Sequence, residues 1–180
     1  NWKQIGFCFL LTVFLTPQLL YSQKSFVSVG PTLTVSDNSA NEKGRKGVGG
    51  SFEYSHHLFS NSGLRVYGGV EQFHTPGRSN DQIKYFSLRG GYQHWLSKDR
   101  VQIWGDAGIA GLEYLSGGGY TLFTFSAGGG YLVSLSKMSF LQLQAFYVYT
   151  DSNEPFDTYG YYGWVTFRVA YGIRFKKKEK

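Results

Sequence analysis

The sequence predicts an all-β chain: an eight-stranded, antiparallel, up-and-down transmembrane β-barrel with both of its ends on one side of the membrane. Three observations carry that expectation. Beyond residue 24, period-2 alternation recurs in eight successive runs, and no stretch shows helical periodicity. The links between runs alternate between longer and tighter. One face of each run is large and apolar, whereas the other is mostly Gly, Ser and Thr with single long polar residues among them.

Residues 1–22 read as a secretory signal peptide, with Lys3 as a short positive region, Ile5 to Leu20 as the apolar stretch and Ser22 as a small residue for cleavage. Pro17 and the shortness of the apolar stretch disfavour a membrane-spanning helix. Cys8, the sole cysteine, leaves with this segment. Residues 23–175 then hold no disulfide, thiol nucleophile or Cys-based metal site.

The first run, Phe26 to Ser36, sets Val27, Val29, Leu33 and Val35 against Ser28, Gly30, Thr32 and Thr34. The second, 48–58, sets Phe52, Tyr54 and Leu58 against Ser51, Glu53 and Ser55. In 64–74, Leu64, Val66 and Val70 oppose Arg65, Tyr67 and Glu71. In 83–96, Phe86, Leu88, Tyr92 and Leu96 oppose Ser87, Arg89, Gly91 and Gln93. The run 101–114 sets Val101, Ile103, Ala107 and Ile109 against Gln102, Asp106 and Gly108. The run 120–135 places Phe123, Phe125, Tyr131, Val133 and Leu135 opposite Thr124, Ser126, Gly128 and Gly130. In 139–150, Leu141, Leu143, Ala145, Tyr147 and Tyr149 oppose Gln142 and Gln144. The last run sets Val165, Phe167, Val169, Tyr171, Ile173 and Phe175 against Trp164, Thr166, Arg168, Ala170, Gly172 and Arg174.

These lengths reach or exceed what a tilted strand needs to cross a bilayer. Residues 37–47, 75–82, 115–119 and 151–160 are the longer links, although 115–119 is short for one. Residues 59–63, 97–100 and 136–138 are tight turns. Short periplasmic turns and longer outer loops give this rhythm, and eight strands return the C-terminus to the periplasm where the first began. Small residues on the polar face suit a cramped lumen, because eight strands enclose a space just wide enough for side chains. A soluble barrel of the same strand number would place the large apolar groups inside, where they overpack.

The chain resembles the small bacterial outer-membrane barrels of the OmpA transmembrane domain, OmpX and OmpW type, over the whole of residues 23–175. The resemblance implies barrel-assembly machinery as a partner during insertion. Tyr171, Gly172, Ile173 and Phe175 are similar to the C-terminal assembly signal of such proteins, except that a basic tail, residues 176–180, follows Phe175.

The 180-residue chain has a net charge of +6, of which the tail supplies +3 and Lys3 a further +1. The rest is scattered, with no basic face interleaved with aromatics, which excludes nucleic-acid binding. No P-loop, dinucleotide fingerprint or metal-ligand spacing occurs, so no cofactor and no metal site is expected. Charges on the lumen parity are Glu53, Arg65, Glu71, Arg89, Asp106, Arg168 and Arg174, which are expected to form one ionic network that plugs the lumen. Arg89 and Asp106 are expected to approach diagonally.

Tyr147, Tyr149 and Tyr161 toward one end, with Phe59, Trp95, Phe140 and Phe175 toward the other, are expected to form two aromatic girdles. Lys43, Arg45 and Lys46 are candidates to meet lipopolysaccharide phosphates. Of the histidines, His56, His57 and His94 fall near the periplasmic ends, and His74 near the outer rim beside Glu71 with Ser79 following. No His-x-Ser or comparable motif accompanies them, so no catalytic residue is expected. The resulting expectation is a monomeric outer-membrane protein with a structural, adhesive or surface-interaction role. A narrow channel for small or apolar solutes and a lipid-modifying enzyme are the alternatives.

Overall fold

The computed structural model of the chain describes residues 25–36, 46–59, 61–74, 82–97, 100–114, 119–151 and 162–175. They form eight strands: β1 Ser25–Ser36, β2 Lys46–Phe59, β3 Ser62–His74, β4 Gln82–Ser97, β5 Val101–Tyr114, β6 Gly119–Ser134, β7 Ser139–Asp151 and β8 Tyr162–Phe175. Each pairs antiparallel with its neighbour in sequence, and β1 pairs with β8 to close the barrel. The predicted signal peptide, the tail 176–180, Lys43, Arg45, Ser79 and Tyr161 lie outside the described residues.

The ladder around the barrel fixes its geometry. Following paired residues from Phe26 through Ser55, Arg65, Gly91, Asp106, Ser126, Val148 and Trp164 returns to β1 at Ser36, ten residues further along. With ordinary strand rise and spacing, that offset sets a strand tilt of roughly 40°. A hydrocarbon layer about 25 Å tall is then crossed by about ten residues, fewer than any strand here contains.

Period-2 alternation decides the two faces. Val29, Phe52, Val66, Leu88, Ile109, Phe125, Leu143 and Phe167 point outward and are exposed. Among the described residues thirty large hydrophobic side chains are exposed, up to 60 % at Val29 and Phe123. An exposed apolar surface on that scale has no place in water and suits lipid. Closure of the ladder pairs the backbone within the wall along almost its whole course, as hydrocarbon requires. Two shallow grooves of about 620 and 520 Å³ interrupt this outer wall where glycines face outward, at Gly50 and Gly68 in one and at Gly90 and Gly105 in the other.

Three local features depart from the regular ladder, one of them a register shift between β4 and β5 at Trp95/Ser97. Between β2 and β3 the register shifts at His57/Phe59, so that Phe59 points outward and breaks the parity set by Tyr54. Between β1 and β8 the register is interrupted at Gly30 and Pro31. Pro31 has no N–H to donate there, and a Cβ at Gly30 would stand 2.0 Å from the Val169 carbonyl oxygen. Gly30 is therefore a close-approach position that no other residue fits.

Candidate functional site

Inside the wall the side chains stack in layers. At the end where β1 begins and β8 finishes, Phe26, Trp95, Leu132 and Phe140 form a buried apolar cluster. Phe26 meets Phe140 edge to face at 5.0 Å, and the His57 ring stacks on Trp95 at 3.6 Å. Trp95 and Phe140 are 2 % and 0 % exposed, so they pack in the lumen and do not belong to an outer girdle. Their parity explains this: each alternates with an outward neighbour, Leu96 and Leu141 respectively, whose side chain takes the lipid side. His57 likewise is buried and not wetted at an interface.

The next layer centres on Glu53, which is fully buried. Its carboxylate accepts from Arg65 Nη2 and Arg168 Nη1, both at 3.3 Å, from Gln142 Nε2 at 3.2 Å and from Gln144 Nε2 at 2.8 Å. Arg168 reaches across the barrel from β8 and also donates to Ser51 Oγ at 2.7 Å and to Gln142 Oε1 at 2.8 Å. It donates further to the Ser28 carbonyl oxygen at 3.1 Å and to Ser28 Oγ at 3.0 Å. Arg65 donates in addition to Asp106, which also accepts from Ser126. Arg89 Nε lies 3.7 Å from Asp106 Oδ1. A buried charge survives only when paired and hydrogen-bonded, and Glu53, Arg65 and Arg168 meet both conditions.

Aromatic rings line the same space. The Arg65 guanidinium stands 4.4 Å from the Trp104 ring centre, and that of Arg89 stands 4.3 Å from the Tyr67 ring centre. Such faces carry partial negative charge and share in neutralising the cations. Toward the other end lies a second buried cluster that includes Tyr67, Phe73, Tyr85, Trp104, Phe146 and Trp164. Glu71 sits in this upper part, accepting from Thr34 Oγ1 at 3.0 Å, with Thr34 in turn 3.0 Å from Thr166 Oγ1. The lumen is thus much more aromatic than a face of Gly, Ser and Thr with a few charges.

The structure therefore brings Glu53, Arg65, Arg89, Asp106 and Arg168 together and sets Glu71 one layer above them. Arg174 stands apart from them. It sits half-buried at the mouth, where Nη2 donates to Ser134 Oγ at 3.3 Å and the guanidinium lies 4.9 Å from the Phe140 ring centre. The reason is its place one residue from the end of β8, beyond the apolar cluster that separates the mouth from Glu53.

No family model and no curated protein matches this chain in sequence. Solved structures do match. Ail, the attachment invasion locus protein of Yersinia pestis, superposes with a TM-score of 0.59 at 16 % identity, covering 86 % of this chain and 99 % of that one. The fold is that of the small outer-membrane β-barrels. Neisserial surface protein A matches with a TM-score of 0.52 at 12 % identity over 87 % of this chain and 99 % of its own. OprG from Pseudomonas aeruginosa matches with a TM-score of 0.50 at 13 % identity over 86 % of this chain and 97 % of its own. At these identities the likeness establishes the architecture alone, and it supports an outer-membrane location.

Within this barrel the remaining candidates are placed as follows. Lys46 is exposed at the start of β2. Tyr171, Ile173 and Phe175 project outward from β8, while Gly172 faces in, where a Cβ would stand 2.1 Å from Phe140 Cζ. His74 is exposed at the end of β3. Two serine–histidine contacts lie near the end that carries Ser25, Ser25 Oγ to His56 Nδ1 at 2.8 Å and Ser62 Oγ to His94 Nδ1 at 3.0 Å. His56 Nδ1 is shared with Tyr54 OH at 3.4 Å. Among the described residues no carboxylate orients either ring, and no group of three or more potential ligands could hold a metal ion.

Proposed function

We propose that this chain is a monomeric, integral outer-membrane protein with a structural, adhesive or surface-interaction role, that its lumen is plugged, and that it performs no catalysis. The observation that supports this reading best is the stack of filled layers across the lumen: the Phe26–Phe140 cluster, the Glu53-centred ion pairs and the Tyr67–Trp164 cluster. A conducting path needs continuous hydration, and this core pairs Glu53 and Asp106 with Arg65 and Arg168 and lays rings beside the Arg65 and Arg89 guanidiniums. What remains to carry function is the surface. The loops opposite the chain ends are the longer ones, and Lys43, Arg45 and Lys46 there would meet lipopolysaccharide phosphates. Both ends of the chain then face the periplasm, and assembly machinery would read Tyr171, Gly172, Ile173 and Phe175 during insertion.

Planar-bilayer recording of the purified, refolded barrel tests the plug. No stepwise conductance is expected, and a steady ohmic current through the unaltered protein would overturn it. The non-catalytic reading is tested by mass spectrometry of lipid A from cells with and without the protein. Identical acyl patterns are expected, and a difference in acyl-chain number would assign an activity instead.

A further inference from the structure

The two mouths of the barrel differ in charge. At the end that carries Ser25 and Phe175, three cations lie on one continuous arc: Arg100 just before β5, Lys137 in the β6–β7 turn and Arg174 near the end of β8. Backbone bonds hold the arc together, since Leu132 N donates to the Arg100 carbonyl oxygen at 2.7 Å and Arg174 N to the Met138 carbonyl oxygen at 2.7 Å. The turn itself is rigid, with the backbone N–H groups of Met138 and Ser139 both donating to Ser136 Oγ, at 3.1 and 3.0 Å. Among the described residues no carboxylate lies at this mouth, and in the adjoining sequence Lys98 and Asp99 cancel. The opposite mouth mixes signs: Lys84 pairs across the β4–β5 seam with Glu113, and Lys46 stands at the start of β2.

Beside the cations stand exposed apolar side chains, Leu135, Met138 and Phe175, each about half exposed and continuous with the outer wall. A soluble anion would use the charges and leave these groups in water. A phospholipid uses both, with phosphate at the cations and acyl chain against the collar. We propose that this arc binds the headgroups of anionic phospholipids in the leaflet on its side, with Arg100, Lys137 and Arg174 as the phosphate contacts. The proposal rests on the membrane reading above and adds a lipid preference to it.

The test uses the refolded barrel in phosphatidylcholine vesicles with and without phosphatidylglycerol, and measures motionally restricted spin-labelled lipid of each class. Heat-modifiable migration is read first in every sample. Each engaged cation contributes up to about a fivefold preference for the anionic label at low salt, falling toward none in molar salt. Replacing all three cations (Arg100→Gln, Lys137→Gln, Arg174→Gln) is expected to lower the preference severalfold while leaving the barrel heat-modifiable. A chain ending at Phe175 is expected to keep it. An inserted barrel with no preference, a preference that the triple substitution leaves unchanged, or one lost only with the tail would each overturn the arc. A chain that restricts no lipid of either class would overturn the membrane reading itself.

Discussion

Replacing Glu53 by Gln removes one negative charge from the centre of the lumen without changing its volume. Two guanidiniums stand 3.3 Å from that carboxylate. At an effective dielectric of about 20, each such pair is worth about 5 kcal/mol of direct attraction before the cost of desolvation. Arg65 keeps Asp106 as a partner, and Arg168 keeps Ser28, Ser51, Gln142 and Gln144. Arg168 keeps no carboxylate, so one buried cation loses its counter-ion. Breaking a buried pair in this way costs about 3–5 kcal/mol. The measurement is urea unfolding of the barrel in lipid vesicles, followed by the loss of the heat-modifiable band. Adding Arg168→Met to Glu53→Gln should recover part of the loss, because the unpaired charge goes with it. If Glu53→Gln unfolds within about 0.5 kcal/mol of the parent, the lumen is hydrated enough to solvate a free guanidinium, and the plug fails with it.

Phe125→Arg, on the outer wall, should cost about 2–4 kcal/mol in the same assay, and no cost would mean that this face does not meet hydrocarbon. Gly30→Val should prevent the heat-modifiable form altogether, since its Cβ would stand 2.0 Å from the Val169 carbonyl oxygen, whereas Gly50→Ala should be tolerated because nothing lies within 4 Å of that Cβ. Pro31→Val restores an N–H where the β1–β8 register is interrupted and should stabilise the barrel by about 0.5–1.5 kcal/mol; lower stability would show that the interruption has another cause. The lumenal tryptophans Trp95, Trp104 and Trp164 are all at most 5 % exposed, so acrylamide should quench the refolded barrel, lacking residues 1–22, weakly and the urea-unfolded chain strongly. Strong quenching before unfolding would reveal water in the lumen.

The strands and their inward faces were legible because side-chain parity is a local property. Val66 out and Arg65 in follows from three consecutive residues. The content of the lumen was harder to read, since parity tells which side a ring takes but not how far it reaches. Trp104, Phe146 and Trp164 share their faces with Asp106, Gln144 and Thr166, polar residues that mark the face as inward without showing that rings fill the space. Trp95 and Phe140 lie near strand ends, which suggests a girdle, but their parity turns them into the lumen. The bulge at His57/Phe59 depends on pairing between strands and leaves no mark in period two. Partners across the lumen lie further beyond sequence reasoning. Glu53 and Arg168 are 115 residues apart, and only the offset accumulated around the whole barrel brings them level.

That ten-residue offset makes the packed lumen a check on strand register. A slip of one residue in any seam would turn a whole strand inside out and is excluded by the lipid alone. A slip of two preserves every face, and neither the bilayer nor the alternation opposes it. It changes the offset to eight or twelve, however, and with it the tilt and a barrel radius that shifts by about 0.7 Å. A narrower barrel would force Trp104, Phe146 and Tyr67 into one another, while a wider one would pull the guanidiniums off Glu53. The side chains packed in the lumen thus reject the one class of misassembly that the membrane cannot detect.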